Sequence, residues 1–148
     1  MKVRRATAAD VSSWAQMRVQ LWPDDDAVAH ARDIAETFLS GDPDQVAFLA
    51  EDAAGRPIGF VEASIRRDYV DGCDTSPVAF GEGAFIVPEA RGTGVGRALV
   101  EAVADWGRAQ GCTELASNAL LDNTASHAFH VAVGFEETER VVFFRRML

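Results

Sequence analysis

Residues Glu82 to Trp106 read EGAFIVPEARGTGVGRALVEAVADW, and this stretch decides the fold. The apolar run before Pro88 predicts a buried β-strand that ends at the proline, because proline cannot donate to a strand ladder. From Val95 onward, apolar residues recur at three- and four-residue spacing, which predicts an amphipathic helix. Between the two lies a glycine-rich turn, Arg91-Gly92-Thr93-Gly94-Val95-Gly96.

The glycine-rich turn suits a phosphate or pyrophosphate. Its glycines allow a tight turn and close approach of a ligand, and free N–H groups at a helix start favour an anion. Arg91 and Arg97 add positive charge on either side. A plain strand-to-helix connection has the same pattern, but a Walker loop does not, because Arg97-Ala98 replaces its Lys and Ser/Thr. The turn also comes too late in the chain for a Rossmann fingerprint.

Length and charge limit the class of protein. With 148 residues, the chain is expected to form one domain, 1–148, with a sizeable core. The net charge is −9, from 14 Lys plus Arg against 23 Asp plus Glu. This balance argues against nucleic acid as a partner and favours a cationic substrate, or reflects solubility alone.

Targeting and metal signals are missing from the sequence. No apolar run approaches the roughly 20 residues of a membrane span, and no apolar segment typical of a signal peptide follows the N-terminal basic residues. Cys73, Cys112 and three scattered histidines show no metal spacing, so we expect no metal site. Free thiols in a reducing compartment favour a cytoplasmic protein.

The remaining pattern predicts an α/β chain with a mixed sheet and helices on both faces. The predicted helices are Val11–Trp22, Ala27–Ser40, the helix after the glycine turn, and Asn123–Val133. The predicted strands are Lys2–Ala6, Gln45–Glu51, Pro57–Arg67, the central strand from Val78, Thr113–Ser117 and Phe135–Arg146.

Two motifs carry a resemblance to a known family. Arg91-x-x-Gly94-x-Gly96 after a strand resembles the acetyl-CoA signature of the GNAT acetyltransferases, and Asn123, Ala128 and Gly134-Phe135 resemble the family's second motif. The resemblance implies a GNAT fold whose splayed central strands admit acetyl-CoA. The residues that it implies for cofactor binding are Phe85, Ile86, Val87, Arg91, Gly92, Thr93, Gly94, Val95, Gly96, Arg97, Asn123 and His127.

Segments outside these motifs resemble one group of the family, the aminoglycoside 6′-N-acetyltransferases. They include Leu21–Asp24, Asp68–Gly72, Cys112–Ser117 and Gly134–Glu139. The resemblance implies acetyl transfer to the 6′-amine of an aminoglycoside, antibiotic resistance, and a homodimer with C-terminal strands at its interface. The acidic charge balance and the lack of a long apolar run predict no nucleic-acid or membrane partner.

The expected catalytic residues are Glu82 and His130. Glu82 stands where related enzymes place a base, although it could equally serve only as a cation anchor. His130 occupies the position of a Tyr acid in many family members and could be an acid, a cofactor contact or packing. The expected substrate-binding residues are acids and aromatics suited to ammonium groups, together with one amide: Trp22, Asp25, Tyr69, Glu82, Asn118 and Glu139.

Two features leave alternatives open. Asn118 stands where the group commonly has Asp, so one substrate-facing carboxylate is missing. The acidic cluster Asp24–Asp26 is either a helix N-cap or a negatively charged lip over a cation site. At the level of function, the alternatives are acetylation of a polyamine or a peptide N-terminus, and a non-catalytic CoA-binding domain.

Overall fold

A five-stranded mixed sheet forms the centre of the computed structural model, which describes all residues 1–148. The strands follow one another across the sheet in chain order: β1 (Lys2–Arg5), β2 (Gln45–Glu51), β3 (Pro57–Arg66), β4 (Val78–Ile86) and β5 (Leu115–Ser117). The first four strands pair antiparallel, and β5 lies parallel to β4. The predicted mixed sheet is therefore confirmed.

Four α-helices surround the sheet: α1 (Val11–Leu21), α2 (Ala27–Thr37), α3 (Val95–Ala109) and α4 (Thr124–Ala132). The Asp26 carboxylate accepts the Ala29 N–H at 2.8 Å and caps α2. The Asn123 side chain caps α4 in the same way. Of the two interpretations of the acidic cluster before α2, the N-cap is thus realised at Asp26. None of the helices is long and apolar enough to cross a lipid bilayer.

Helices cover both faces of the sheet, as predicted, because neighbouring strand residues point to opposite sides. On one face, Leu49 and Phe60 pack with Trp14 of α1 and Ile34 of α2. On the other face, the neighbouring side chains of the same strands pack against α3. The buried residues of this second cluster include Val46, Ala50, Val61, Leu99, Val103 and Trp106.

The central strands separate where β4 carries a bulge. Glu62 pairs with Gly83 and Ala63 with Gly81, which leaves Glu82 as the extra residue of β4. The partner β5 contacts β4 only as far as Gly81, so the next residues of β4 have no neighbour on that edge. The predicted splay of the central strands is therefore confirmed, and it opens a gap beside Glu82.

The predicted final strand, Phe135–Arg146, is wrong. No helix or strand follows α4, and Phe143 and Phe144 are 87% and 91% exposed. An apolar segment of high strand propensity needs a neighbouring strand with which to pair. This chain places none beside it, and every residue from Glu136 onward is exposed.

Candidate active site

The gap between β4 and β5 contains a cavity of about 200 Å³. Its walls come from the ends of both strands, from α4 and from the end of α1. The predicted site residues that line it are Trp22, Glu82, Asn118, Asn123 and His130.

A second, acidic cavity of about 550 Å³ lies between the two N-terminal helices and the sheet. Four carboxyl groups line it, together with one guanidinium, that of Arg18. The acidic residues are Asp25, Asp33, Glu62 and Glu82. Trp22 and Glu82 line both cavities, so the two spaces meet at these side chains.

The Glu82 carboxylate is held by two residues of β3. The Ser64 hydroxyl donates to Oε1 over 2.5 Å. One terminal nitrogen of Arg66 contacts both oxygens, at 3.0 Å from Oε1 and 3.1 Å from Oε2. The register makes this possible: Ser64 lies opposite Phe80, and Glu82, two residues further along β4, points to the same face as Phe80.

Trp22 forms the wall between the cavities, directly against the backbone next to Glu82. A Cβ at Gly83 would lie 2.6 Å from Trp22 Cζ2, so only glycine lets the indole sit there. His30 Nε2 donates to the Trp22 carbonyl at 2.9 Å, and the Arg18 guanidinium lies 5.0 Å from the indole centroid. The position of Trp22 is thus fixed from three sides.

Behind Trp22 lies a buried ion pair. Glu62, 1% exposed, accepts the indole N–H of Trp14 at 2.8 Å and has Arg18 Nε at 2.8 Å from Oε1. Burial raises the pKa of the Glu62 carboxyl to about 7, although Arg18 acts in the opposite direction. Arg18 also pairs with Asp33 at 2.7 Å, so one guanidinium bridges two acids of the cavity.

The residues that hold Glu82 and Trp22 were not identified from the sequence. A signal was present: Glu62, Ser64 and Arg66 occupy alternate positions of a strand whose other residues are apolar or glycine. Such a row puts polar side chains on one face of a covered sheet, where each needs a partner.

His130 lies at the α4 side of the gap and is fully engaged by hydrogen bonds. Nδ1 lies 2.7 Å from the Ser126 carbonyl, which can only accept, so Nδ1 carries a hydrogen. Nε2 lies 3.0 Å from the Ser117 hydroxyl at the end of β5. In the neutral ring Nε2 is then an acceptor for the Ser117 hydroxyl, and this pair links the ring to the cavity.

The glycine turn leaves open space in front of its backbone. Gly92 and Gly94 have φ of +75° and +92°, and a Cβ on either would meet nothing within 4 Å. The first N–H groups of α3 have no intrahelical partner, which leaves them available to an anion. The residues present therefore fit a pyrophosphate. Gly96 serves packing instead, since a Cβ there would lie 2.6 Å from Phe129 of α4.

The side chains of the turn contact the protein itself. Arg91 donates to the Ile86 carbonyl at 2.9 Å, and Thr93 donates to the Ala90 carbonyl at 2.6 Å. Arg97 donates to the Ala132 carbonyl and so ties α3 to the end of α4. Each of these contacts steadies the turn.

Several predicted site residues lie away from the cavities. Tyr69 is 75% exposed and, like Glu139 in the C-terminal segment, lines neither cavity. His127 pairs with the Leu120 carbonyl at 2.9 Å. Phe85 of β4 is part of the core on the α1 side. Val87, just after β4, donates its N–H to the Ile58 carbonyl.

The whole chain resembles known acetyltransferases. The profile of the Acetyltransferase (GNAT) family matches residues 11–135. An aminoglycoside N(6′)-acetyltransferase type 1 of Stenotrophomonas maltophilia is 48% identical over 99% of this chain and 93% of its own length.

Solved structures agree with the sequence comparison. AAC(6′)-Iy in complex with the bisubstrate analog CoA-S-monomethyl-acetylneamine has a TM-score of 0.91 and 44% identity over 99% of this chain and 98% of its own. The 6′-N-acetyltransferase AAC(6′)-Ih of Acinetobacter baumannii has a TM-score of 0.93 and 41% identity over the same shares. At this similarity, and with the strand gap and glycine turn in place, the chain belongs to the GNAT acetyltransferase family.

Proposed function

We propose that this protein transfers the acetyl group of acetyl-CoA to the 6′-amine of an aminoglycoside. The observation that carries the proposal is the position of Glu82, where the cavity of the strand gap meets the acidic cavity. A thioester that enters through the gap and an ammonium group held among carboxylates would meet at this side chain. Relatives 48% and 44% identical are named for this reaction.

Acetyl-CoA would be held at the glycine turn. Its pyrophosphate would accept the free N–H groups at the start of α3, where the helix dipole also favours negative charge. From there, the arm that carries the thioester can follow the unpaired edge of β4 into the gap. Unpaired backbone N–H groups on this edge are suited to polarise the thioester carbonyl.

The acceptor would be held by charge and by an aromatic face. Asp25, Asp33 and Glu82 present carboxylates to a polycation, and the indole of Trp22 offers a surface for a sugar ring. Asn118, at the gap, can accept a hydrogen bond from an ammonium but contributes no charge. We assign Tyr69 and Glu139 to the outer rim of this site.

The chemistry is a direct attack of the amine on the thioester that acetyl-CoA supplies. The ammonium nitrogen must lose one proton before the attack and a second during amide formation, and we assign the first transfer to Glu82. The leaving sulfur takes up one proton, so the reaction releases one proton overall. We assign delivery of the sulfur's proton to His130, whose Nε2 can take up the second amine proton and pass a proton to the sulfur through Ser117, to which it is hydrogen-bonded.

We also propose that the protein works as a homodimer in the cytoplasm. The exposed segment after α4 contains Val142, Phe143 and Phe144, and β5 is one of the two edge strands of the sheet. A second copy that covers this segment would remove a hydrophobic surface that is costly in water. The cytoplasm is the compartment that suits a user of acetyl-CoA.

A substrate panel tests the proposal. Aminoglycosides with a 6′-amine, spermidine and a peptide N-terminus would each be incubated with acetyl-CoA while CoA release is measured. We expect turnover with the aminoglycosides and little with the other amines. Turnover restricted to a polyamine or peptide would support one alternative, and tight CoA binding with no turnover on any amine would support a non-catalytic domain.

A further inference from the structure

A row of polar side chains on β3 runs beneath the active site. Glu62, Ser64 and Arg66 point to the same face at alternate positions, and Ser64 is only 6% exposed. Glu62 binds Arg18 and Trp14, whereas Ser64 and Arg66 both turn to Glu82 of the neighbouring strand.

The two oxygens of Glu82 are unequally occupied. Oε1 accepts from both the Ser64 hydroxyl and Arg66, whereas Oε2 accepts only from Arg66, at 3.1 Å. A carboxylate oxygen can accept two hydrogen bonds. Oε1 is therefore saturated, and Oε2 retains capacity for one further donor.

Arg66 approaches Glu82 from outside the substrate space. Its guanidinium lies 3.5 Å above the centroid of the Phe80 ring, and the residue lines neither cavity. Phe80 is 5% exposed, so the guanidinium is supported by a buried ring. Arg66 thus does not occupy the place of a substrate ammonium, whereas Glu82 itself lines both cavities.

We infer that Ser64 and Arg66 are positioning residues that fix Oε1 of Glu82 and thereby make Oε2 the proton acceptor of the reaction. The inference rests on the proposed function. In the step concerned, one N–H bond of the substrate ammonium breaks and one O–H bond forms on Oε2, directly or through one water. The nitrogen keeps the electron pair with which it attacks the thioester.

The experiment is a double-mutant cycle with the full-length protein. Ser64→Ala and Arg66→Gln are made alone and together with Glu82→Gln, and residual turnover of the slow variants is followed by mass spectrometry of the acetylated product. Arg67→Gln is the matched control. It removes the same charge from the next residue, whose guanidinium pairs with Asp44 instead.

A misplaced general base loses part of its rate acceleration, so we expect each single variant to lower kcat about tenfold. The KM for acetyl-CoA and the melting temperature should stay near their wild-type values. With Glu82→Gln already present, neither change should lower kcat by more than about twofold, because its effect passes through Glu82. Ser64→Thr, which keeps the hydroxyl, should restore most of the loss, and Arg67→Gln should be silent.

The inference and the proposed function fail in different ways. Three results would overturn the inference and leave the proposed function intact. They are an unchanged kcat in Ser64→Ala or Arg66→Gln, a loss of kcat that persists when Glu82→Gln is already present, and an equal loss of kcat in Arg67→Gln. A wild-type enzyme without turnover on any amine contradicts the proposed function, and the inference falls with it.

Discussion

At the scale of single residues, Asn118 brings an amide to the strand gap where a carboxylate would add a negative charge. It lines the cavity next to the end of β5, where an amide can accept from an ammonium but adds no charge. Hydrogen bonds to a charged group are worth roughly 1.5–3 kcal/mol against about 1 for neutral pairs, and the ammonium already supplies one charge. A second charge at this position should therefore add only modestly to affinity.

Asn118→Asp should lower the KM for a multiply charged aminoglycoside by about fivefold, on the order of 1 kcal/mol, and leave the KM for acetyl-CoA unchanged. Steady-state kinetics with both substrates measure this, and Asn118→Ala serves as the matched control. If neither variant changes the KM for the aminoglycoside, residue 118 does not face the acceptor.

Glu62 is expected to make stability depend on pH. Burial raises its pKa from 4.5 to about 7, so between these values the folded protein binds more protons than the unfolded chain. The free energy of unfolding should therefore fall as pH rises through this window, by roughly 3 kcal/mol from this group. Below pH 4.5 the contribution is fully present, and above about 7 it is lost.

Glu62→Gln removes this titration, although its amide N–H₂ also faces the donors of Arg18 and should lower stability at every pH. Urea unfolding of both proteins at about pH 5 and about pH 8 gives the change in the free energy of unfolding with pH, to which a loss that is equal at every pH does not contribute. The wild type should lose more stability across the interval than the variant does. Equal losses would show that Glu62 is ionised throughout this range.

At the scale of elements, the turn before α3 is expected to bind the cofactor through its backbone. Gly94 and Gly111 flank α3 and share positive φ values, +92° and +86°, and a Cβ added to either would meet no atom within 4 Å. Valine at either position strains the backbone by about 1–2 kcal/mol. Only Gly94→Val should also weaken CoA binding, by at least tenfold in calorimetry. Equal CoA affinity in both variants would place the pyrophosphate elsewhere.

Much of this architecture is predictable from local pattern. The hairpin of β2 and β3, the central strand and α3 follow from apolar periodicity and from glycine and proline positions, which act within a few residues. The gap residues Glu82, in the middle of β4, and Asn123, directly before α4, were expected from the family resemblance and not from local pattern. The partners of Glu82 are different, because Ser64 and Arg66 reach it only through the register of β3 with β4 and its bulge. A register is a tertiary property, and sequence periodicity does not specify it.

At the scale of the whole molecule, the segment after α4 is an element without a partner. Its apolar pattern predicts a strand, yet within one chain it pairs with nothing and leaves Phe143 and Phe144 in water. The proposed homodimer gives this segment its missing neighbour. The prediction of a final strand is wrong for this chain, because apolar pattern reports strand propensity and does not report whether a neighbouring strand is present.

Sedimentation at micromolar concentration tests the proposed homodimer. The full-length protein should sediment at about twice 16.0 kDa, and a variant that ends at Arg140 should sediment as a monomer, because it lacks the apolar residues that a second copy would cover. Phe143→Asp is the matched control, since it keeps the chain length and opposes burial of one side chain. A single 16.0 kDa species for the full-length protein would contradict the dimer.

The measurement that tests the proposed acetyl transfer most directly compares two acceptors that differ at one group. Neamine and its 6′-hydroxy counterpart would each be incubated with the enzyme and acetyl-CoA, with CoA release followed in time and the acetyl position assigned by NMR. We predict stoichiometric CoA release with neamine, a single acetyl group on the 6′-nitrogen, and no comparable turnover of the hydroxy compound. Equal turnover of both acceptors, or an acetyl group on any other nitrogen, would contradict the proposed reaction.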